Sequence, residues 1–344
     1  MAIDFDADDR ANPDSGVFGL AVGPDDAAVI LVPVPFDAST SWGRGAADAP
    51  RAITTASHQI DLYDPLVGTP YEAGIAMLAP QESVAARNQR GRDLADKNHS
   101  IMDNGAAENE SVLGDLNDLC NEIHQWVDGE VSKWIERGRI VGTIGGDHSV
   151  AYGAINAHLR RYPNMALLQV DAHADLRLAY EGLTWSHASV MRNLIDNTEL
   201  GLLVQVGLRD VSPGEVAFSR MQSPRIVSHF DADLAAAAMG GVLWAATVER
   251  IVSDLPDEVY ISFDIDGLDA SLCPNTGTPV PGGLSFHQAC ALFAGITSSG
   301  RRVVGFDLTE VAPGPGAHEK SWDAVVGAHI IYRLCGHALL GHDK

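Results

Sequence analysis

Six short apolar runs recur along the chain: AAVILVPVP at 27–35, RIVGTIGG at 139–146, MALLQVD at 165–171, GLLVQVGL at 201–208, EVYISFDID at 258–266 and RRVVGFDL at 301–308. Each is continuous in Val, Ile and Leu rather than alternating with polar residues, which predicts strands buried on both faces. Helical patterns lie between them at about 114–137, 149–161, 187–197, 245–253, 285–298 and 322–335. Strands alternating with helices predict an α/β fold with a mostly parallel sheet covered on both sides. Residues 81–112 are polar and broken by Gly and Asn, and predict a long surface excursion. No internal repeat or low-complexity tract interrupts the pattern. The expected organisation is an acidic N-terminal extension over 1–20 and a single domain over 21–344.

In a parallel α/β sheet the functional groups gather beyond the carboxyl ends of the strands. Ionisable residues collect there in this chain. The strand ending near 144 runs into GGDHS, with His148 after a tight glycine turn; the next ends in Asp171-Ala-His173-Ala-Asp175; the one over 258–263 ends in Asp264-Ile-Asp266. If these segments stay extended, residues two apart share a face and converge. Two histidines and four aspartates in one cavity would discharge by protonation unless cations were present, so a pair of divalent ions is expected. A lone histidine or a lone Asp-x-Asp is an ordinary turn; three such pieces after three core strands are a metal site. Carboxylate and imidazole donors without thiolate suit Mn²⁺ and also Ni²⁺, Fe²⁺ or Zn²⁺. Two ions bridged by carboxylates would acidify a shared water to hydroxide.

The 344 residues carry 46 acidic and 23 basic side chains, a formal net charge of −23. That balance disfavours nucleic acid and anionic membrane surfaces and favours metal cations and cationic small molecules. The start, MAIDFDADDRANPDSG, lacks the basic and apolar blocks of a signal peptide, and no run of 18 apolar residues occurs, so a cytoplasmic location is expected. Cys120, Cys273, Cys290 and Cys335 are scattered without a CxxC pair and are expected to be reduced, buried thiols.

GGDHS at 145, DAHAD at 171 and SFDIDGLD…TGTPVPGG over 262–283 together resemble the ureohydrolase family of arginases, agmatinases and related guanidino hydrolases. The resemblance implies an arginase-like three-layer α/β/α sandwich around an eight-stranded parallel sheet, assembled as a homotrimer or homohexamer, with a hetero-oligomer left open. It implies one metal site of His148, Asp171, Asp175 and Asp264 and a second of Asp171, His173, Asp264 and Asp266, bridged by Asp171 and Asp264. It gives Asp175 and His187 proton-transfer duties and makes Glu310 the carboxylate that holds the substrate guanidinium. Hydroxide would attack the guanidinium carbon, releasing urea or a urea derivative with ammonia or an amine.

The segment LRLAYEGLTWSHAS lacks the arginase pattern, and Ala188-Ser189-Val190-Met191 stands where agmatinases commonly have Gly-Thr-Pro-Phe. AYEG…SHAS, the polar excursion and CPNTGTPVPGG look more like the branch that hydrolyses free guanidine and biguanides such as metformin, some members of which use nickel. Tyr180 and Trp185 are candidate aromatic faces for a compact cation. Ala270 and Asn275 depart from the family's usual proline and glycine. Agmatinase or guanidinobutyrase activity is the first alternative, a one-zinc deacetylase-like hydrolase a second, and a non-catalytic metal-binding subunit a third.

Overall fold

The computed structural model describes residues 6–103, 110–315 and 320–342; the first five residues of the expected N-terminal extension and residues 104–109 of the expected excursion lie outside them. The strands are β1 (Val29–Pro33), β2 (Ile75–Met77), β3 (Ile140–Ile144), β4 (Ala166–Val170), β5 (Leu203–Leu208), β6 (Ile226–Phe230), β7 (Glu258–Asp264) and β8 (Arg302–Thr309). The helices are α1 (Ala49–Ser57), α2 (Glu82–Asp103), α3 (Glu110–Glu136), α4 (Ala151–Arg161), α5 (Val190–Asn197), α6 (Pro213–Met221), α7 (Asp231–Met239), α8 (Trp244–Ser253), α9 (Phe286–Ser298) and α10 (Trp322–His342).

All eight strands pair in parallel in the order β2-β1-β3-β8-β7-β4-β5-β6. The six apolar runs are strands, as their composition requires. β2 and β6 escaped the pattern because β2 has only three residues and β6, at the opposite edge, exposes part of Val-Ser-His-Phe. Side chains alternate between two cores: Ala166, Leu168 and Val170 of β4 join Phe293, Phe306 and Tyr332 on one face, while Leu167 joins Leu119, Val127 and Ile155 on the other. Helices cover both faces.

Register decides where the site forms. In the middle of the sheet, Ile144 lies opposite Leu308, Thr309 opposite Asp264, and Phe263 opposite Val170. The carboxyl ends of β3, β8, β7 and β4 therefore stand side by side, although β3 and β8 are far apart in sequence.

The polar excursion is helical. Residues 82–103 form α2 and residues from 110 onward already belong to α3. The stripe of large apolar residues that marks a docked helix is missing because α2 turns Val84, Asn88, Ala95 and Asn98 inward, two of them polar. Near the N-terminus, Val17, Phe18 and Leu20 are buried, with Phe18 edge-on to Tyr332 at 4.9 Å. Among the described residues, α10 alone is long and apolar enough to cross a membrane by length and composition; its mean hydropathy reaches 1.3, and 67% of that stretch is buried in the molecule. All four cysteines are free and buried.

α3 and α4 cross closely at Gly153, where a Cβ would lie 2.3 Å from the His124 carbonyl oxygen and 2.9 Å from Val127 Cβ. Gly153→Ala is expected to cost about 1–3 kcal/mol by overpacking. Gly129→Ala on α3, with nothing within 4 Å of its new methyl, is expected to stabilise by about 0.5–1 kcal/mol through helix propensity. Urea unfolding midpoints of the two variants check both signs.

Candidate metal centre and substrate cavity

The aspartates that follow the strands do not continue them. Each accepts the backbone N–H two residues on: Asp147 from Ser149 at 3.0 Å, Asp171 from His173 at 2.6 Å, Asp264 from Asp266 at 2.9 Å. Aspartate makes such turns because its short carboxylate reaches its own backbone. The period of two is thus a turn device, which corrects the expectation of extended alternation. Asp175 ends its segment in the left-handed region at φ 53° and Glu310 lies at φ 60°. Non-glycine residues held there mark a backbone whose surroundings over-determine it.

These turns bring the ligand candidates together. His148 Nδ1 lies 3.0 Å from Asp171 Oδ2, 2.9 Å from Asp175 Oδ2 and 3.3 Å from Asp264 Oδ2. His173 Nδ1 lies 3.0 Å from Asp266 Oδ2 and 3.6 Å from Asp171 Oδ1. Two groups, His148-Asp171-Asp264 and Asp171-His173-Asp266, each hold their donor atoms within 4.8 Å of one another, and Asp171 belongs to both. Asp264 was expected to bridge as well; here it belongs to the first group, its Oδ1 being engaged by the Asp266 N–H.

The donors fit divalent ions. His148 Nδ1 and Asp266 Oδ2 are buried without a hydrogen-bond partner, a costly state unless a cation takes their lone pairs. The other ring nitrogen of His148 is fixed by Ser262 Oγ at 2.9 Å, and Ser262 donates to Asp307 at 2.9 Å. Asp171 is held by Gln169 at 2.7 Å, which Gln205 holds in turn at 2.7 Å. Partners of this kind orient ligands and set their basicity.

Without ions the cluster is electrostatically frustrated. Burial, then the charge of Asp171, pushes Asp175 up to about 7. Burial, then Asp266, Asp171 and Glu310, lifts Asp264 well above the carboxylate range. Burial lowers His173, but Asp266 and Asp171 carry it up to about 12.

Above the ligands opens a cavity of about 340 Å³, lined by His173, Asp175 and His187 together with Ser41, Trp42, Arg177, Tyr180, Asp210, Glu215 and the strip Thr278-Pro279-Val280. His187 sits on the short helical turn before α5; its N–H donates to Ser39 Oγ at 2.9 Å and its Nδ1 faces the Ser39 carbonyl at 2.8 Å. A carbonyl only accepts, so Nδ1 carries the proton and Nε2 keeps a lone pair, 3.4 Å from Ser41 Oγ. Burial holds His187 down at about 4, so the ring is neutral.

Tyr180 lines the cavity and Trp185 does not. Trp185 packs edge-on against Tyr152 at 5.0 Å and His124 at 5.2 Å, half-buried against the core beside α3 and α4. Glu310 is buried behind the ligands, with Oε1 accepting the His148 N–H at 2.9 Å, and is not among the lining residues. Sequence reasoning missed Trp42, Arg177 and Asp210, whose positions on irregular loops carry no periodic signal, and Glu215, which sits in the first turn of α6. The carboxylate of Glu215 is committed to the backbone N–H groups of Leu176 at 3.1 Å and Ser212 at 2.9 Å. Asp210 is 71% exposed, 3.9 Å from His173 Nε2. Asn275, one of the departures from the family pattern, grips Asp323 of α10 with its N–H and its side-chain amide, both at 2.9 Å.

Known proteins share this arrangement of sheet and turns. Residues 27–336 match the family model described as Arginase family. The chain belongs to that family and is a metal-dependent hydrolase of the ureohydrolase class. It is 32% identical to an N(1)-aminopropylagmatine ureohydrolase of Thermus thermophilus, over 93% of this chain and 94% of that one. It is 30% identical to a mitochondrial agmatinase of Gallus gallus, over 88% and 79%. The solved proclavaminate amidino hydrolase of Streptomyces clavuligerus superimposes with a TM-score of 0.72 at 22% identity, covering 97% of this chain and all of that one, and so shares the fold.

Raised carboxylate values make the ion-free cluster bind more protons folded than unfolded between about pH 4 and 7, so its contribution to stability falls as pH rises through that window, while the buried histidines held low, His124, His158, His187 and His337, act the other way up to about pH 6.5. The raised His173 acts in the same direction as the carboxylates above pH 6.5. Chelated protein is expected to melt at a lower temperature at pH 8 than at pH 5, and Mn²⁺ to raise the melting temperature more at pH 8. Calorimetry at the two pH values reads both effects; a chelated protein more stable at pH 8 would contradict the assignment.

Proposed function

We propose that this chain hydrolyses a carbon–nitrogen bond of a compact guanidino cation, guanidine or a biguanide such as metformin, using two divalent ions held by His148, Asp171, Asp175, Asp264, His173 and Asp266. The observation that carries the reading is the pair of imidazole–carboxylate groups sharing Asp171 directly beneath a cavity that His187 overlooks. When bound, the ions supply a Lewis-acidic centre that brings water's ionisation toward neutral pH. Mn²⁺ and Ni²⁺ both suit the donor set.

The chain's own groups divide the remaining work. Asp175 takes the proton released by water. The Nε2 lone pair of His187 faces the cavity and relays a proton to the departing amine, while the Ser39 carbonyl fixes the tautomer. Glu310 supplies negative charge behind the ligands and orients the His148 backbone through its bond to that N–H.

Compactness is supported by the walls. Trp42 and Tyr180 offer aromatic faces. Arg177, its guanidinium 5.0 Å from the Tyr180 ring centroid, puts a fixed cation in the wall that opposes an extended polyamine tail. Agmatine is the second reading, favoured by Asp210, an exposed carboxylate in the cavity lining that an ammonium tail would meet. By resemblance to the family the assembly is a trimer or hexamer, which light scattering measures directly.

Urea and amine release by Mn²⁺- and Ni²⁺-loaded protein, against guanidine, metformin, agmatine, 4-guanidinobutyrate and arginine, tests the substrate. Guanidine or metformin is expected to lead by kcat/KM; agmatine in first place would select the second reading. His187→Asn is expected to lower kcat by about 10²–10⁴-fold with metal content intact, and Asp266→Ala to lose bound metal by elemental analysis. Unchanged kcat in the His187 variant would remove that residue from the mechanism.

A further inference from the structure

The polar helix α2 has no place in the chemistry above, yet it touches both loops that frame the cavity. One loop, residues 36–45, carries Ser41 and Trp42; the other, residues 176–187, carries Arg177, Tyr180 and His187. On the first loop, Arg92 forks onto the fully buried Asp37 with two bonds of 2.6 Å, and Asn88 accepts the Asp37 N–H at 2.9 Å. The same Asp37 carboxylate accepts the N–H groups of Gly45 at 3.0 Å and Ala47 at 3.2 Å, closing the loop on itself with Trp42 84% exposed near its tip. Asp96 adds a second fork, to Arg44 at 2.6 and 3.1 Å.

On the second loop, His99 meets the Glu181 carboxylate at 2.7 Å and Asn98 donates to the Glu181 carbonyl at 3.3 Å. Glu181 follows the cavity residue Tyr180 directly and lies in the left-handed region at φ 50°, a conformation that persists only where neighbours enforce it. Gly91 sets how closely the helix approaches, since a Cβ there would lie 2.6 Å from Ala38 Cβ. The loops are also joined to each other, because the backbone and hydroxyl of Ser39 hold His187.

We propose that α2 is a specificity clamp: by gripping loops 36–45 and 176–187 together it fixes the aromatic walls Trp42 and Tyr180 around a compact guanidinium, and Arg92 is its positioning residue. The forked contact of Arg92 matters because a planar guanidinium satisfies both carboxylate oxygens at once, which a lysine ammonium does only in part. The inference rests on the guanidino-hydrolase reading for the identity of the cation, and on the contacts alone for the clamp.

The test uses the full, metal-loaded protein and compares Arg92→Ala, Arg92→Lys and Gly91→Ala with the parent. Arg92→Ala is expected to shift the kcat/KM ratio of guanidine over agmatine at least tenfold toward the longer compound, chiefly through KM, with metal content unchanged. Arg92→Lys should recover part of the ratio. Gly91→Ala, which removes no charge, should shift it in the same direction. Hydrogen exchange read on the same proteins is expected to show faster exchange in both loops when Arg92 is removed. A proportional loss on every substrate, or unchanged exchange in 176–187, would overturn the clamp. A parent protein silent on every guanidino compound would overturn the specificity role together with the function reading, and the exchange data would then show separately whether the helix grips the two loops.

Discussion

Everything at the catalytic edge follows from crowding of like charge in a space closed to water. Asp171, Asp175, Asp264, Asp266 and Glu310 are buried together, and His148 and His173 are set among them. In low dielectric such a set either takes up protons or holds cations. His148 Nδ1 and Asp266 Oδ2 are buried within this cluster without a hydrogen-bond partner. Divalent ions resolve it, so the metal requirement is a property of the packing as much as of the chemistry.

Holding the charges together costs backbone freedom, and the chain spends hydrogen bonds rather than salt bridges on it. Carboxylates on three successive turns accept N–H groups two residues on, and Asp266 reaches across to the Ala172 N–H at 3.0 Å. Each bond neutralises part of a carboxylate with a fixed dipole, and the second oxygens of Asp147 and Asp171 are held in turn by the Ser39 N–H and Gln169. The polar residues inside the sheet serve the same end: Gln169, Gln205 and Ser262 sit in otherwise apolar strands and bind one another or the ligands. Strand positions that look like flaws in a hydrophobic run are the supports of the site.

Around that floor the cavity walls come mostly from loops. His187 illustrates the division. Its imidazole is neutral because the pocket buries it and directed because the Ser39 carbonyl of another loop accepts the Nδ1–H hydrogen bond, so a residue remote in sequence decides which nitrogen keeps its lone pair at the cavity.

Local composition alone determined much of this protein. Continuous Val/Ile/Leu runs defined six of the eight strands, because burial on both faces leaves no other composition. The turn aspartates and His148 marked the candidate metal centre, because they follow the strands immediately and a strand's end is fixed by the strand. Tertiary structure decided the rest. The adjacency of β3, β8, β7 and β4 is a matter of strand order, which no local pattern encodes. Trp185 packs against the core and Trp42 is cavity wall because distant elements cover much of the one and leave the other open. α2 is a helix whose buried face is polar, so the periodicity that reveals helices was missing from its sequence; only the partners waiting on the two loops, Asp37 and Glu181, gave those polar residues somewhere to dock.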